Sequence, residues 1–343
     1  MQIPFDSEAF YSRQEVLREF GREGQRRLKE SSAAVIGVGG LGTVSATYLA
    51  LSGVGHLKLV DQDTVELHNL HRQILYTFND LRLPKAEKAA ERLSRSNPEI
   101  KVEAIPENLR EDNVKTILKD VDIVLDGLDN MTTRYILNRA CYRQKIPYIF
   151  GGAIAMEGNV AVFDPPETPC LECVLPNLND TALPGCDVRG VLGATAGIIG
   201  SIQAMEAIKT LSDIRTDLRG KLLVCDFRTM EFEKIEVFRN PRCPVCGEPS
   251  GKQSTGGRLS WLCGRDTINI NPERELSIDM QQIQPLIEKN FVILARSAWV
   301  LVFGVDGYEF SLFKNGRALV KNCRTEDEAL LVYRRIMSML GKR

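Results

Sequence analysis

One stretch, residues 33 to 85, restricts what this chain can fold into more than any other. It opens as AVIGVGGLG, passes through LVDQDTVELHNLHRQ and closes on LPKAEK. Gly37, Gly39 and Gly42 follow a strand-like apolar run, Ala33 to Ile36, and lead into a helix-like run from Leu41 to Gly53. Glycine at these positions permits a tight turn and lets backbone N–H groups approach phosphate oxygens at a helix N-terminus. A second strand-like run, His56 to Val60, ends at Asp61. That sets an acid roughly 20 residues past the glycine loop, where ribose hydroxyls are bound in such folds.

Behind Asp61 lies a dense polar cluster: Asp63, Asn69, Arg72, Gln73 and Lys85. A nicotinamide cofactor has little use for it, because a pyrophosphate is satisfied largely by backbone N–H groups and the helix dipole. Cleaving ATP between its α and β phosphates requires cations on the departing pyrophosphate. Arg72 and Lys85 suit that task, with Asn69 and Gln73 as neutral hydrogen-bond partners; the alternative is a solvated basic surface after a strand. A further apolar run, Val121 to Leu125, ends in Asp126-Gly-Leu-Asp129-Asn130. Acids at the carboxyl end of a parallel strand lie at the crevice where such sheets bind ligands. A carboxylate there can hold Mg²⁺ on phosphates, or simply cap the next helix; position favours Asp129 as the ligand-facing acid.

The 343 residues suffice for two domains. With 44 basic and 45 acidic residues, no bulk charge calls for nucleic acid or a membrane surface. No apolar run approaches the roughly 20 residues that span a bilayer. The N-terminus, MQIPFDSEAFYSRQ, lacks the layout of a signal peptide, which makes the cytoplasm the expected compartment.

Strand-like runs near Ala33, Leu57, Val102, Val121–Leu125 and Pro147–Phe150 alternate with helix-like runs after Gly42, from Lys85, from Asp112 and from Met131. Phe10 to Lys29 also has helix-compatible spacing. The alternation predicts an α/β, Rossmann-like fold with a largely parallel sheet. Beyond Gly151, Asn159–Phe163, Lys221–Cys225 and Glu231–Val237 read as antiparallel strands continuing that sheet. Gly193–Leu211 reads as a tightly packed helix. The expected division is 1–250 for this first domain, a Gly-rich linker at 251–257, and a small α+β domain at 258–343. In the latter, WLCGRDTINI reads as one strand, Asp279–Lys289 as a helix, the run from Phe291 to Phe313 and RALVKN as further strands, and Thr325–Leu340 as the last helix.

Four of the nine cysteines form two CxxC pairs, Cys170/Cys173 and Cys243/Cys246. Each pair lets two thiolates reach one tetrahedral ion, so together they read as a closed Cys₄ zinc site without an open catalytic position. Four unrelated thiols or a redox pair are the alternatives. Cys186 differs: it lies in a polar Gly/Pro stretch, NLNDTALPGCDVRG, and is a nucleophile candidate. Arg189 would favour its thiolate and Asp187 oppose it, and no histidine lies near in sequence. An incidental loop cysteine is the competing reading. Cys141, Cys225, Cys263 and Cys323 read as packing residues. Spacing assigns nothing to Arg13.

Together these residues resemble the MoeB/ThiF family, relatives of the ubiquitin-activating enzymes. The likeness runs from about Ala9 to Gly247 and rests on YSRQ, GVGGLG, LVDQDTVELHNLHRQ, LPKAEKA, LDGLDN, GGAIAMEGNVAVF, both CxxC pairs and GIIGSIQAMEAIK. It implies ATP- and Mg²⁺-dependent adenylation of the C-terminal glycine of a ubiquitin-like or sulfur-carrier protein ending in Gly-Gly. By position, Gly40 would lie at the phosphate loop and Asp61 on the ribose; Asn69, Arg72, Gln73 and Lys85 would hold phosphates. Asp129, beside Asn130, would be the magnesium acid. Arg13 would reach the triphosphate of a neighbouring subunit, implying a homodimer, and the four paired cysteines would bind Zn²⁺. Cys186 falls where thioester-forming relatives carry their reactive cysteine. The main expectation is therefore thioester formation at Cys186 and transfer to a conjugating enzyme. The alternative is activation of a sulfur carrier, with a sulfur donor, for cofactor biosynthesis or tRNA thiolation. Three rivals are weaker: a dehydrogenase leaves Arg72, Lys85 and the cysteine pairs unexplained, a tRNA-modifying relative calls for a basic face that the balanced charge does not offer, and a non-catalytic scaffold is opposed by the intact set of Arg13, Arg72, Lys85 and Asp129.

Overall fold

The computed structural model describes residues 4–178, 180, 190–247, 259–261, 267–272, 274 and 276–341. Cys186, Asp187, Arg189, Cys263 and the whole 251–257 linker lie outside them. The contacts divide the chain into two compact units, residues 1–79 with 85–253, and residues 80–84 with 254–343.

In the first unit, strands β1 (Ser32–Ile36), β2 (His56–Val60), β3 (Lys101–Ile105), β4 (Ile123–Asp126) and β5 (Tyr148–Ile154) lie in parallel, with β1 at the centre between β2 and β4. The sheet continues antiparallel through β6 (Glu157–Phe163), β7 (Lys221–Asp226) and β8 (Glu231–Glu236), giving eight strands in the order β3-β2-β1-β4-β5-β6-β7-β8. All five β1 residues are buried, as expected for a parallel strand covered on both faces. The edge strand β8, EFEKIE, is exposed throughout and carries charges that discourage pairing with another edge.

Helices α1 (Ser7–Glu15), α2 (Gly21–Glu30), α3 (Gly40–Ser52), α4 (Lys85–Ser96), α5 (Val114–Ile117), α6 (Met131–Gln144), α7 (Leu171–Val174) and α8 (Gly193–Leu211) belong to the same unit. In α4, Ala86, Ala89, Ala90 and Leu93 form the buried stripe of an amphipathic helix. The tight packing expected of α8 is directed at both α3 and the sheet. A Cβ on Gly200 would lie 2.6 Å from Leu41 O, and one on Gly158 of β6 would lie 2.3 Å from Ile199.

The helix-compatible run from Phe10 to Lys29 is two helices rather than one. The chain turns between Val16 and Phe20, and Gly21 opens α2 with φ of +59°. The helix expected from Asp112 is only the short turn α5, which Asn113 precedes without a side-chain cap bond and which is followed at Asp120 by a left-handed residue, φ 58°.

The second unit is a six-stranded antiparallel sheet with two helices. Its elements are β9 (Leu259–Trp261), β10 (Thr267–Ile270), α9 (Met280–Asn290), β11 (Val292–Arg296), β12 (Val300–Val305), β13 (Tyr308–Phe313), β14 (Ala318–Lys321) and α10 (Glu326–Met339), in the sheet order β11-β12-β13-β14-β10-β9. Ile268, Ile270, Leu301, Phe303, Phe310 and Leu312 pack with Ile283 and Ile287 of α9 and Val332 and Ile336 of α10. WLCGRDTINI is not one strand: Trp261 pairs with Ile268 in antiparallel sense, so the run reverses direction and contributes to β9 and β10. Among the described residues, no helix is long and apolar enough to cross a membrane.

Candidate functional site

The order of the strands places a crevice at the carboxyl ends of β1 and β4, where neighbouring connections leave in opposite directions. Three glycines make that crevice close-packed. Gly37 ends β1 with φ of +86°, a conformation L side chains rarely adopt. A Cβ on Gly42 would come within 1.9 Å of Gly37 O, and one on Gly127 within 2.2 Å of the same oxygen. Gly39 is less crowded: a Cβ there would meet only ordinary contacts, Gln73 Nε2 at 3.8 Å and Gly127 O at 4.0 Å. The first N–H groups of α3 have no intrahelical partners, so this end of the helix offers donors to an anion.

Asp61 follows β2 and is tied to the glycine loop. Its carboxylate accepts from Val38 N at 2.7 Å and from Asp63 N at 2.8 Å. Burial pushes its carboxyl up to about 6, with Lys85 pulling the other way. The two bonds hold the acid in place, and a carboxylate has further lone pairs for a ribose. Lys85, the first residue of α4, donates from Nζ to Asp63 Oδ2 at 3.0 Å, with 7% of its side chain exposed. Burial opposes the charged ammonium, but Asp63, Asp61 and Asp129 outweigh it and raise the lysine above its ordinary value. Two buried oxygens in this cluster, Asp63 Oδ1 and Gln73 Oε1, have no hydrogen-bond partner.

Asn69 is buried and accepts from Glu66 N, closing a reciprocal cap on a short 3₁₀ turn, Leu67–Asn69. Arg72 follows that turn, donates to His68 O at 2.8 Å and lies 3.7 Å from where a Cβ on Gly40 would sit. Asp129 is exposed, while Asn130 does the capping: its Oδ1 accepts from Thr133 N and its Nδ2 donates to Asp129. The competing reading of an acid used as a helix cap therefore applies to the asparagine, and Asp129 is left facing solvent.

Arg13 is not brought to these residues within one chain. It is exposed on α1, without a hydrogen bond or ion pair among the described residues. That helix is anchored at the opposite, amino-terminal edge of the sheet, through Tyr11 to Asn97 and Gln14 to Ser52 O.

The cysteine pairs do converge. Sγ atoms of Cys170, Cys173, Cys243 and Cys246 all lie within 4.8 Å of one another, with Cys170 to Cys243 at 3.5 Å and Cys173 to Cys246 at 3.3 Å. Those separations are too long for disulfides and near the roughly 3.8 Å edge of a zinc–thiolate tetrahedron. Cys141, Cys225 and Cys323 are buried packing residues.

The sequence marks Asp126 only as an acid at a strand end; its supporting role and its partners are visible only in the fold. Asp126, fully buried at the end of β4, pairs with Arg134 at 3.1 Å, accepts from Tyr148 and accepts from Leu128 N. Arg134 also donates to Leu128 O and Gly151 O, and Gln203 of α8 donates to Asp126 O. These bonds hold the turn that carries Asp129. The Tyr76 hydroxyl is shared between Val38 O and Lys85 O, linking the glycine loop to α4. The one signal available in sequence was the Asp126–Arg134 spacing across a strand end and the following helix.

Comparison with known proteins matches this geometry. The pattern of the ThiF family covers residues 11–245. The sulfur carrier protein adenylyltransferase of Thermus thermophilus is 43% identical over 250 residues, 71% of this chain and 92% of that protein. The SAMP-activating enzyme E1 of Haloferax volcanii is 41% identical over 239 residues, 69% of this chain and 88% of that one. A crystal structure of E. coli MccB with AMPCPP and MccA superposes with a TM-score of 0.61 at 26% identity, over 71% of this chain and 77% of that one. The chain belongs to the ThiF family and is an enzyme of the adenylyltransferase type.

Proposed function

We propose that this enzyme uses ATP to adenylate the C-terminal glycine carboxylate of a ubiquitin-like sulfur carrier ending in Gly-Gly, preparing it to receive sulfur from a donor. The observation that carries this reading is the buried, charge-surrounded Lys85 beside Asp63 and Asp61 at the carboxyl edge of the sheet, linked to the glycine loop through the Tyr76 hydroxyl. The Thermus thermophilus relative, named for a sulfur carrier, supports this choice of substrate over transfer to a conjugating enzyme.

In this mechanism a carboxylate oxygen of the carrier attacks the α-phosphorus, the bond to the β-phosphate oxygen breaks, and pyrophosphate leaves with the electron pair. No base is needed, because the carboxylate is already ionised at neutral pH. Gly39, Gly40 and the α3 N-terminus receive phosphate, Asp61 the ribose, and Arg72 and Lys85 the developing charge, with Asn69 and Gln73 orienting them. The partnerless oxygens of Asp63 and Gln73 match a polar ligand entering this cluster. The exposed carboxylate of Asp129, next to Asn130, suits Mg²⁺, which takes hard oxygens; when bound it neutralises phosphate charge. The cysteine cluster suits a structural Zn²⁺ with no open position.

Arg13 would serve the site of a second copy in a homodimer. Residues 1–250 would carry this chemistry and 258–343 an accessory domain, joined at 251–257, in a cytoplasm that keeps the thiols reduced.

Intact-mass measurement of such a carrier incubated with enzyme and Mg-ATP tests the reaction. A carrier mass increased by one AMP, less the elements of water, supports it; unmodified carriers throughout would contradict it. One specific observation favours a second reading, thioester formation at Cys186: the Haloferax volcanii relative is named an activating enzyme E1. A thiol-labile carrier adduct lost in Cys186→Ala would favour that reading.

A further inference from the structure

Helix α6 carries a strap along one face. Residues 171–178 and 180 are tied to it by three successive rows of hydrogen bonds, running antiparallel to the helix. Toward its C-terminal end, Asn138 accepts from Leu171 N at 3.0 Å, and Arg139 forks onto Glu172, Nε to Oε1 at 2.9 Å and Nη2 to Oε2 at 3.0 Å. One turn earlier, the Tyr135 hydroxyl donates to Leu175 O at 2.7 Å and accepts from Leu178 N at 2.8 Å. At the first turn, the Asp180 carboxylate accepts from Met131 N at 2.5 Å, Thr132 N at 3.0 Å and Thr132 Oγ1 at 2.6 Å. Thr132, Tyr135 and Arg139 follow the i, i+3, i+7 spacing of one helix face.

The first-turn donors of α6 are thus divided between two caps. Asn130 takes Thr133 N locally, and Asp180 takes Met131 and Thr132 from 49 and 48 residues away. A carboxylate at this end also opposes the positive pole of the helix dipole. Asp129 lies one residue before the local cap. From the strand side its turn is held by Arg134, which binds both Asp126 and Leu128 O. From the helix side it is held only as firmly as the first turn of α6. The other end of the strap is anchored firmly, because Glu172 lies between Cys170 and Cys173 of the cysteine cluster and is itself buried.

We propose that Asp180 is a positioning residue for Asp129. It completes the cap of α6, stops the first turn from fraying, and so fixes the 129–130 turn in the orientation that a nucleotide-bound cation requires. This rests on the reading of Asp129 as the acid that meets the cation, given under Proposed function. Removing a cap that accepts two backbone donors frees the first turn to open to water. The opening begins next to Asp129 and spreads toward residue 126.

The test uses the full chain and two measurements on Asp180→Ala. The first is hydrogen–deuterium exchange of peptides covering residues 126–135, which should accelerate about fivefold to tenfold. The second is calorimetric titration with ATP, with Mg²⁺ and with a chelator in its place. Affinity for Mg-ATP should fall about fivefold to tenfold, while affinity for metal-free ATP stays within about twofold. A general loss of structure would move both arms alike. Asp180→Asn, which keeps one acceptor oxygen, should fall between the variant and the wild type. Should Asp180→Ala not fold, Thr132→Val removes a single donor and should give smaller changes in the same directions. Unchanged exchange at 126–135, or equal weakening with and without Mg²⁺, would overturn the inference. A wild-type protein that fails to bind ATP at all would instead contradict the proposed function, and the exchange measurement would still judge Asp180.

Discussion

Lys85 and Asp63 form an ion pair at the carboxyl edge of the parallel strands: Nζ lies 3.0 Å from Oδ2, and 93% of the lysine side chain is withdrawn from solvent, 7% remaining exposed. Burial alone would disfavour the ammonium, but Asp63, Asp61 and Asp129 around it keep it charged. A cation fixed in place before the reaction needs no reorganisation when charge develops on a leaving pyrophosphate.

Replacing this cation should therefore weaken nucleotide binding strongly. Lys85→Met removes a charge-assisted contact to phosphate worth about 1.5–3 kcal/mol, so the Kd for Mg-ATP should rise roughly tenfold to a hundredfold. Calorimetry checks this, with circular dichroism to verify folding. A folded variant with wild-type affinity would remove Lys85 from the site.

Asp61 should impose a pH dependence on stability. Burial holds its carboxyl at about 6 in the fold, above the ordinary 3.8. An acid whose folded value is the higher one binds its proton more tightly when folded. Its favourable contribution is complete at low pH and is lost as pH rises from about 3.8 through about 6. Wild type should lose about 1–3 kcal/mol relative to Asp61→Asn over that window. Urea unfolding of both proteins across the range checks the sign; parallel profiles would contradict it.

The cysteine cluster should hold one zinc per chain, measurable by atomic emission. Stripping it with a chelator, or Cys173→Ser, should cost about 2 kcal/mol or more and lower the Tm by roughly 4–8 °C. A metal-free protein with an undiminished Tm would show that the thiols pack without an ion.

The glycine loop, Asp61 and the cysteine pairs were legible in sequence because their meaning is carried by short spacings: GxGxxG after an apolar run, an acid at the end of the next strand, two residues between thiols. Strand alternation also conveyed the parallel sheet, since β1 is apolar at every position except Ser32. What escaped was held by contacts distant along the chain. Arg134 meets Gly151 O, Gln203 reaches Asp126 O, and Asp180 caps α6. No local pattern announces such a partner. Asn130 stands in a motif that places it at the nucleotide site, and the fold adds that its Oδ1 caps α6. WLCGRDTINI escaped for a related reason: its β-propensity looks continuous until the antiparallel pairing of Trp261 with Ile268 reveals two strands.

The most direct measurement of the central claim is exchange of radiolabelled pyrophosphate into ATP. With a ubiquitin-like sulfur carrier ending in Gly-Gly from the same genome, the account predicts rapid exchange that needs Mg²⁺. Exchange should vanish when the carrier's terminal glycine is deleted and drop sharply in Lys85→Met and Asp129→Ala. Exchange that proceeds without any carrier, or equally well in the Asp129→Ala enzyme, would contradict it.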